Sequence, residues 1–261
     1  MQFKSFGSGS SGNCYYIAEG EEALLIDMGL GTRYFKKQCR DHGVPMHRIR
    51  ALLVTHDHTD HSKCVAPFSH EMNIPVYALP EVFQGIRANP HLHPDPDPSL
   101  CRNVVCGEPF VVAGMQVTAF VVPHDSRGNV GYFVEAGGTN LCLMTDVGHV
   151  TEEMLQYIAR ADNLVIESNY DEEMLAHGPY PRILRERIAS GFGHSSNAQT
   201  AAVLEHHLGS RTRRVFLCHL SENNNHPELA RITVSEALQR AGLSPELVVL
   251  NRRAPSLLYE L

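Results

Sequence analysis

Nowhere does the sequence carry an apolar run approaching the roughly 20 residues that span a bilayer, although 43% of its 261 residues are hydrophobic. A membrane protein is therefore not expected. The segment Met1 to Ser10 holds one lysine and no apolar stretch, so the parts of a secretory signal are missing and the cytoplasm is the expected compartment. There is no C-x-x-C pair among the seven cysteines, which stand scattered from Cys14 to Cys218. An odd, unpatterned set excludes a disulfide framework and fits reduced thiols. Basic charge is short as well: 22 Lys and Arg face 29 Asp and Glu, a net −7. That excludes a protein that grips nucleic acid through a broad basic surface, and any anionic substrate has to be captured locally. No internal repeat, long charge run or domain boundary interrupts the chain. At this length one domain over residues 1–261 has enough core without staples.

What the chain does have is 16 histidines, and a regular alternation of strands and helices. Buried strands are expected at Ala23-Leu24-Leu25-Ile26, Ile49 to Thr55, Val117 to Val122, Leu141 to Thr145, Leu164 to Ile166, Val215 to Leu217 and Leu247 to Leu250. Helices are expected at Arg33 to His42, Lys63 to Met72, Asn197 to Leu208 and Glu228 to Ala241, with another that starts at an N-cap Thr151 and turns Met154, Leu155 and Ile158 to one face. The alternation implies an α/β protein. Ser8 to Asn13 reads as a Gly/Ser turn, and Asn89 to Ser99 as a proline-rich loop.

The histidines gain meaning from spacing. Directly after the run Ile49 to Val54 comes Thr55-His56-Asp57-His58-Thr59-Asp60-His61. A lone histidine is most often structural, but four liganding side chains at H-x-H-x-D-H spacing are a metal motif. So short a loop can aim His56 and His58 at one cation and Asp60 and His61 at a second, and this mixture of nitrogen and oxygen donors suits Zn²⁺, Mn²⁺ or Fe. His124, Asp146 and His219 each stand just past the end of an expected buried strand, where residues distant in sequence converge in α/β proteins.

In these motifs the sequence resembles the metallo-β-lactamase superfamily, whose five motifs it matches in order over nearly the whole chain. Asp27 matches the first, an Asp that supports the metal loop; His56, His58, Asp60 and His61 match the second; His124, Asp146 and His219 match the third, fourth and fifth. The resemblance implies a four-layer αβ/βα sandwich. It also implies two divalent metal ions, one on His56, His58 and His124, the other on Asp60, His61 and His219, with Asp146 as the bridge and Asp60 orienting the nucleophile. Ser8 to Asn13, His194 to Asn197 and His219 to Asn224 further resemble the WalJ (YycJ) subgroup of that superfamily, regarded as exonuclease-like.

Paired metals clamp the attacking and leaving oxygens of a displacement and acidify a bridging water, so hydrolysis at neutral pH is expected. Which bond is cut depends on other residues. Asp146 stands where the best-known zinc β-lactamases have Cys, and His58 where flavodiiron reductases have Glu, which weakens both readings. Gly191-Phe192-Gly193-His194-Ser195-Ser196-Asn197 resembles the His-bearing motif of phosphodiesterase members. It gives His194 as a proton donor, and Ser195, Ser196 and Asn197 as a phosphate site at a helix N-terminus. The alternative is an ordinary helix cap beside a surface histidine. The expected protein is a two-metal phosphodiesterase acting on nucleic acid, a nuclease. A thioesterase or lactonase using the same metals is the competing reading, and an idle metal-binding scaffold a third. His91, His93, His206, His207 and the arginine groups Arg182, Arg185, Arg187 and Arg211, Arg213, Arg214 are read as solvated surface.

Overall fold

Continuous apolar runs such as Ala23-Leu24-Leu25-Ile26 suit strands covered on both faces. The computed structural model, which describes residues 1–261, places them in two seven-stranded sheets. The first holds β1 (Gln2–Gly7), β2 (Cys14–Glu19), β3 (Glu22–Ile26), β4 (Ile49–Leu53), β5 (Val76–Ala78) and β6 (Cys101–Asn103). The second holds β7 (Phe110–Val112), β8 (Met115–Val121), β9 (Val130–Ala136), β10 (Thr139–Met144), β11 (Asn163–Glu167), β12 (Arg214–Cys218) and β13 (Glu246–Val249). The last strand, β14 (Tyr259–Glu260), returns to the first sheet beside β1. Both sheets begin as antiparallel meanders and finish with parallel strands: β3 to β6 in the first, β10 to β13 in the second.

Period-two alternation divides each central strand between two cores. Ala23 and Leu25 face outward with Phe35 of α1 (Thr32–Asp41), while Leu24 and Ile26 face the other sheet. After a short turn of helix, α2 (Thr59–Ser62), the outer face of the first sheet is covered by α3 (Val65–Met72) and α4 (Pro80–Ala88) through Val65, Phe68, Val82, Phe83 and Ile86. In the second sheet Leu141 and Leu143 point inward and Cys142 and Met144 outward. Its outer helices are α5 (Glu152–Arg160), α8 (Asn197–His207) and α9 (Pro227–Arg240). Between β11 and α8 the chain makes two further turns of helix, α6 (Glu172–His177) and α7 (Arg182–Ile188), which pack in a small cluster of their own. The result is the four-layer αβ/βα sandwich. None of the seven cysteines is bonded to another.

All of the expected strands and helices appear, with shifted ends. The helix expected from Lys63 starts at Val65, because the metal loop first coils through α2. Strands β1, β2, β5, β6, β7, β9 and β14 were not among those expected. β1 (QFKSFG) is buried although its pattern is polar, and Lys4 is only 2% exposed, its ammonium turned to the Ser256 carbonyl. Thr151 caps α5 by accepting from the Met154 amide, as expected. The sheets are pinned at one place by Phe216 of β12, fully buried with its ring centroid 4.7 Å from that of Phe3 and 5.0 Å from that of Tyr259. Replacing Phe216 by Ala should cost about 3–5 kcal/mol of unfolding free energy, read from the denaturant midpoint. A loss under about 1 kcal/mol would mean that the inter-sheet core closes over the gap.

Candidate metal centre

The metal loop is attached to the sheet end by a carboxylate. Asp27 follows β3, and beside it β4 runs on through Val54 and Thr55 into His56. Asp27 Oδ1 accepts from the Thr55 amide at 2.8 Å and Oδ2 from the Thr55 hydroxyl at 2.9 Å; Oδ2 also takes His61 Nδ1 at 2.7 Å. The backbone at Asp27 is left-handed, φ 62°. So is that at Asp146, φ 55°, after β10, and at His219, φ 54°, after β12. Non-glycine residues adopt this region at a cost of about 1–3 kcal/mol, and do so chiefly at functional sites. Here the kink ends the strand and turns the side chain over the sheet edge. Gly29 serves the same construction: a Cβ there would stand 1.6 Å from the Asp60 carbonyl oxygen, so only glycine lets the two loops meet.

All seven side chains expected as ligands converge. His56, His58 and His124 bring ring nitrogens to within 4.8 Å of one another, and so do the ligand atoms of Asp60, His61 and His219. Asp146 lies between the sets, Oδ2 3.1 Å from His61 Nε2 and Oδ1 3.7 Å from His124 Nε2. A metal fits these donors. His56 Nε2 and His124 Nε2 are buried without a hydrogen-bond partner, although buried polar atoms are seldom left so. The opposite ring edges are engaged: His124 Nδ1 donates to the Gly193 carbonyl at 2.8 Å, and His56 Nδ1 meets the Thr55 hydroxyl at 3.0 Å. That fixes the tautomer with a lone pair on Nε2 of His124, the form a cation requires.

The two sets differ in charge. Burial drives the protons off His56 and His124. For His61 and His219 burial has the same sense but is outweighed by Asp146 and other carboxylates, which hold His61 well above the imidazole range and His219 at about 10. Conversely, burial disfavours ionised Asp60 and Asp146, yet His61 and His219 keep Asp60 at about 2 and Asp146 well below the carboxylate range.

Sequence reasoning missed the carboxylate that organises the other half of the site. Glu167, the last residue of β11, is fully buried. Its Oε1 lies 2.8 Å from His194 Nδ1 and 3.0 Å from His219 Nδ1, and Oε2 accepts from the amides of Val147 (2.8 Å) and Ser195 (3.1 Å). The Ser8-to-Asn13 segment is also part of the construction. Ser8 Oγ accepts from the His219 amide at 2.9 Å, and Asn13 Nδ2 lies 2.8 Å from His61 Nε2. His194 itself, 20% exposed, lies at the rim, its ring centroid 5.1 Å from His124 and 5.4 Å from His219.

Ser195, Ser196 and Asn197, expected at a phosphate site, lie inside the fold at the start of α8. All are buried, with their polar groups engaged. Ser195 Oγ donates to Val147 O at 2.8 Å. Ser196 and Gln199 form a capping box. Asn197 Oδ1 accepts from Ser168 Oγ at 2.6 Å and Asn225 Nδ2 at 2.9 Å. Ser196 thus acts as the N-cap of α8, its hydroxyl accepting from the Gln199 amide and its own amide donating to Gln199 Oε1. Of the other candidates, His91, His93, His206 and His207 join no group of potential ligands. Arg211, Arg213 and Arg214 lie at the opposite end of β12 from His219, bonded to Asp162, Thr139 and Glu246. Arg187 reaches the site, ion-paired with Asp125 beside His124.

Residues 23–220 match the family model of the β-lactamase superfamily domain. The chain is 32% identical over 250 residues to the exodeoxyribonuclease YycJ of Bacillus anthracis, covering 93% of this chain and 90% of that protein. It is 31% identical over 243 residues to the exodeoxyribonuclease WalJ of Streptococcus pneumoniae serotype 2, with the same coverage of each. Among solved structures it is similar to the metallo-β-lactamase fold protein YhfI of Bacillus subtilis, TM-score 0.72 at 14% identity over the full length of both chains.

A cation entering the Asp60, His61 and His219 set at neutral pH has to displace protons. Calorimetric titration in buffers of different ionisation enthalpy should read a release of about two protons for this set. Because the raised groups carry their protons below their pKa, affinity should climb with pH until His219 deprotonates at about 10. His56 and His124 add none. Release near zero would mean that the carboxylates do not hold His61 and His219 charged.

Proposed function

From the premise that the chain belongs to the metallo-β-lactamase superfamily, we propose that it is a two-metal phosphodiesterase that hydrolyses nucleic acid, an exonuclease on DNA. The observation that carries this reading is the His194–Glu167 pair at the edge of the ligand cluster. Superfamily hydrolases of acyl and phosphoryl groups share the metal residues, but departure of a basic sugar alkoxide calls for a proton donor at the leaving oxygen. Burial works against a charged His194, yet Glu167 overcomes it and holds the imidazole above its ordinary range. Glu167 thus favours the doubly protonated ring while Nδ1 stays anchored on it. Nε2 is left as its free donor.

His56, His58, His124, Asp60, His61, His219 and Asp146 would hold divalent cations, which would supply Lewis-acid activation of water and of the phosphoryl oxygens. The chain's own groups do the rest. Asp60, kept ionised, accepts a hydrogen bond from the attacking water and orients it in line with the scissile P–O bond. His194 gives its Nε2 proton to the departing oxygen as that bond breaks, leaving a phosphate monoester and a free hydroxyl. Glu167 keeps the ring of His194 in register throughout. Names of the two relatives support DNA over RNA and an end-directed cut.

His194→Ala should slow hydrolysis of an oligonucleotide by about 10²- to 10⁴-fold and that of a p-nitrophenyl phosphodiester far less, since nitrophenolate leaves unaided. Glu167→Gln should act in the same direction. By removing the charge that raises His194, it should also move the alkaline fall in kcat to lower pH, because the acid form is then lost sooner. Equal losses of His194→Ala on both substrates would leave His194 with a positioning role only. Parent enzyme that cleaves thioesters or lactones and no phosphodiester would overturn the whole reading in favour of the acyl hydrolase.

A further inference from the structure

A cleft of about 180 Å³ opens directly beside the cluster, bordered by Ser10, Asp125, Tyr180, Leu184, Arg187 and His194. Its outer wall is the α6–α7 segment, which belongs to neither sheet's core and packs on Tyr170, Leu175 and Ile188. That wall is held in a set position relative to His194. The His194 amide donates to Ile188 O at 2.9 Å, and a Cβ on Gly193 would stand 2.2 Å from the carbonyl oxygens of both Arg187 and Ile188. On its other flank the Tyr180 hydroxyl accepts from Asn223 Nδ2 at 3.0 Å, in the loop that follows His219.

Arg187 is the cation of this cleft. Its guanidinium pairs with Asp125, whose Oδ1 lies 3.3 Å from His124 Nε2 and 4.0 Å from His58 Nε2. The side chains are 57% and 27% exposed, so the pair is solvent-screened and its exchange for another anion costs little. A guanidinium fork matches phosphate better than any other side chain does. The two remaining arginines of α7 turn elsewhere: Arg182 to Glu186 at 2.6 Å and Arg185 to the Ala176 carbonyl. In size the cleft is below the roughly 300–1,000 Å³ of pockets for drug-sized ligands. It accepts one ring system with its sugar edge, not a dinucleotide, and Tyr180 offers an aromatic surface of the kind on which bases stack.

We propose that this cleft seats the single terminal nucleotide next to the scissile bond, with Arg187 exchanging Asp125 for a substrate phosphate and Tyr180 against the base. The proposal rests on the nuclease reading and deepens it: the product is a mononucleotide, released one at a time from a strand end. Discrimination then comes from the α6–α7 wall and not from the metal residues.

The test uses the full-length, metal-loaded protein and a short single-stranded DNA. Three readouts are needed: product length on a sequencing gel, affinity for a non-cleavable phosphorothioate analogue by fluorescence anisotropy, and metal content by elemental analysis. Arg187→Ala should weaken affinity about 10- to 100-fold, the value of a charged phosphate contact, with metal content unchanged. Arg187→Lys should recover part of it. Tyr180→Ala should weaken binding while Tyr180→Phe, which keeps the ring, should not, and Arg182→Ala serves as the control for charge alone. The proposal is overturned by products longer than one nucleotide, by an Arg187→Ala effect no larger than that of Arg182→Ala, or by metal loss that parallels the loss of affinity. Failure of the parent to release any nucleotide from DNA or RNA would instead remove the nuclease reading, and this proposal with it.

Discussion

The centre of this molecule depends on how three carboxylates are buried at strand ends. Asp27, Asp146 and Glu167 are 0%, 2% and 0% exposed, and an unpaired carboxylate at that depth would not be tolerated. Each is satisfied by imidazole and by backbone or hydroxyl donors. The first sheet contributes Asp27, which takes Nδ1 of His61; the second contributes Glu167, which takes Nδ1 of His219 and of His194. The same device is thus used once in each sheet. By occupying Nδ1, the carboxylate orients the ring and leaves Nε2 for the site. Asp146 alone faces both imidazole sets, which is the position a shared ligand requires.

Left-handed backbone at Asp27, Asp146 and His219 is the local cost of this arrangement. An isolated loop would relax out of it. Here the residues follow β3, β10 and β12, strands locked by hydrogen bonds to neighbours on both sides and buried on both faces. Cross-sheet contacts at the same end add to the constraint: the Tyr132 hydroxyl of β9 donates to Val54 O at 2.8 Å, and the Val130 amide to Thr55 O at 3.1 Å. The three-core sandwich is therefore the rigid frame that keeps seven donors converged, a level of definition that ligand sites on loops alone rarely reach.

Such a frame explains which residues were legible in advance. His56, His58, Asp60 and His61 announce themselves by spacing, and His124, Asp146 and His219 by being polar at the ends of apolar runs. Glu167 occupies the same kind of position, yet a single acid closing Leu164-Val165-Ile166 has no partner nearby in sequence: both of its histidines lie at least 27 residues away. Asn13 and Ser8 stand in a Gly/Ser stretch whose composition is that of a flexible turn, and only the fold shows it wedged against His61 and His219. For Ser195 to Asn197 the sequence shows where a helix starts, but composition cannot tell that the three side chains there are enclosed by their neighbours. Arg187 looks like its solvated neighbours Arg182 and Arg185 until α7 is placed. The secondary structure misread most, β1, carries Lys4 and Ser5 on a strand that is nonetheless enclosed.

The division of labour within the chain bears on how such a scaffold acquires its substrate. The candidate metal donors come from strand ends and from the loop and short helix α2 that follow β4. His194, Glu167 at its base, and the cleft wall with Tyr180 and Arg187 all come from the single excursion between β11 and α8. That excursion packs on a cluster of three buried residues, small beside cores of 21 to 23. At its base it is tied to the end of β12, where the Ser168 amide donates to Cys218 O at 3.0 Å and Asn169 Nδ2 to His219 O at 2.7 Å. Under the nuclease reading, an acidic protein of net −7 needs no basic track to work on a polyanion. On the reading proposed above, one arginine beside the cluster, Arg187, exchanges Asp125 for an incoming phosphate and so confines the electrostatic gain to the end of the strand.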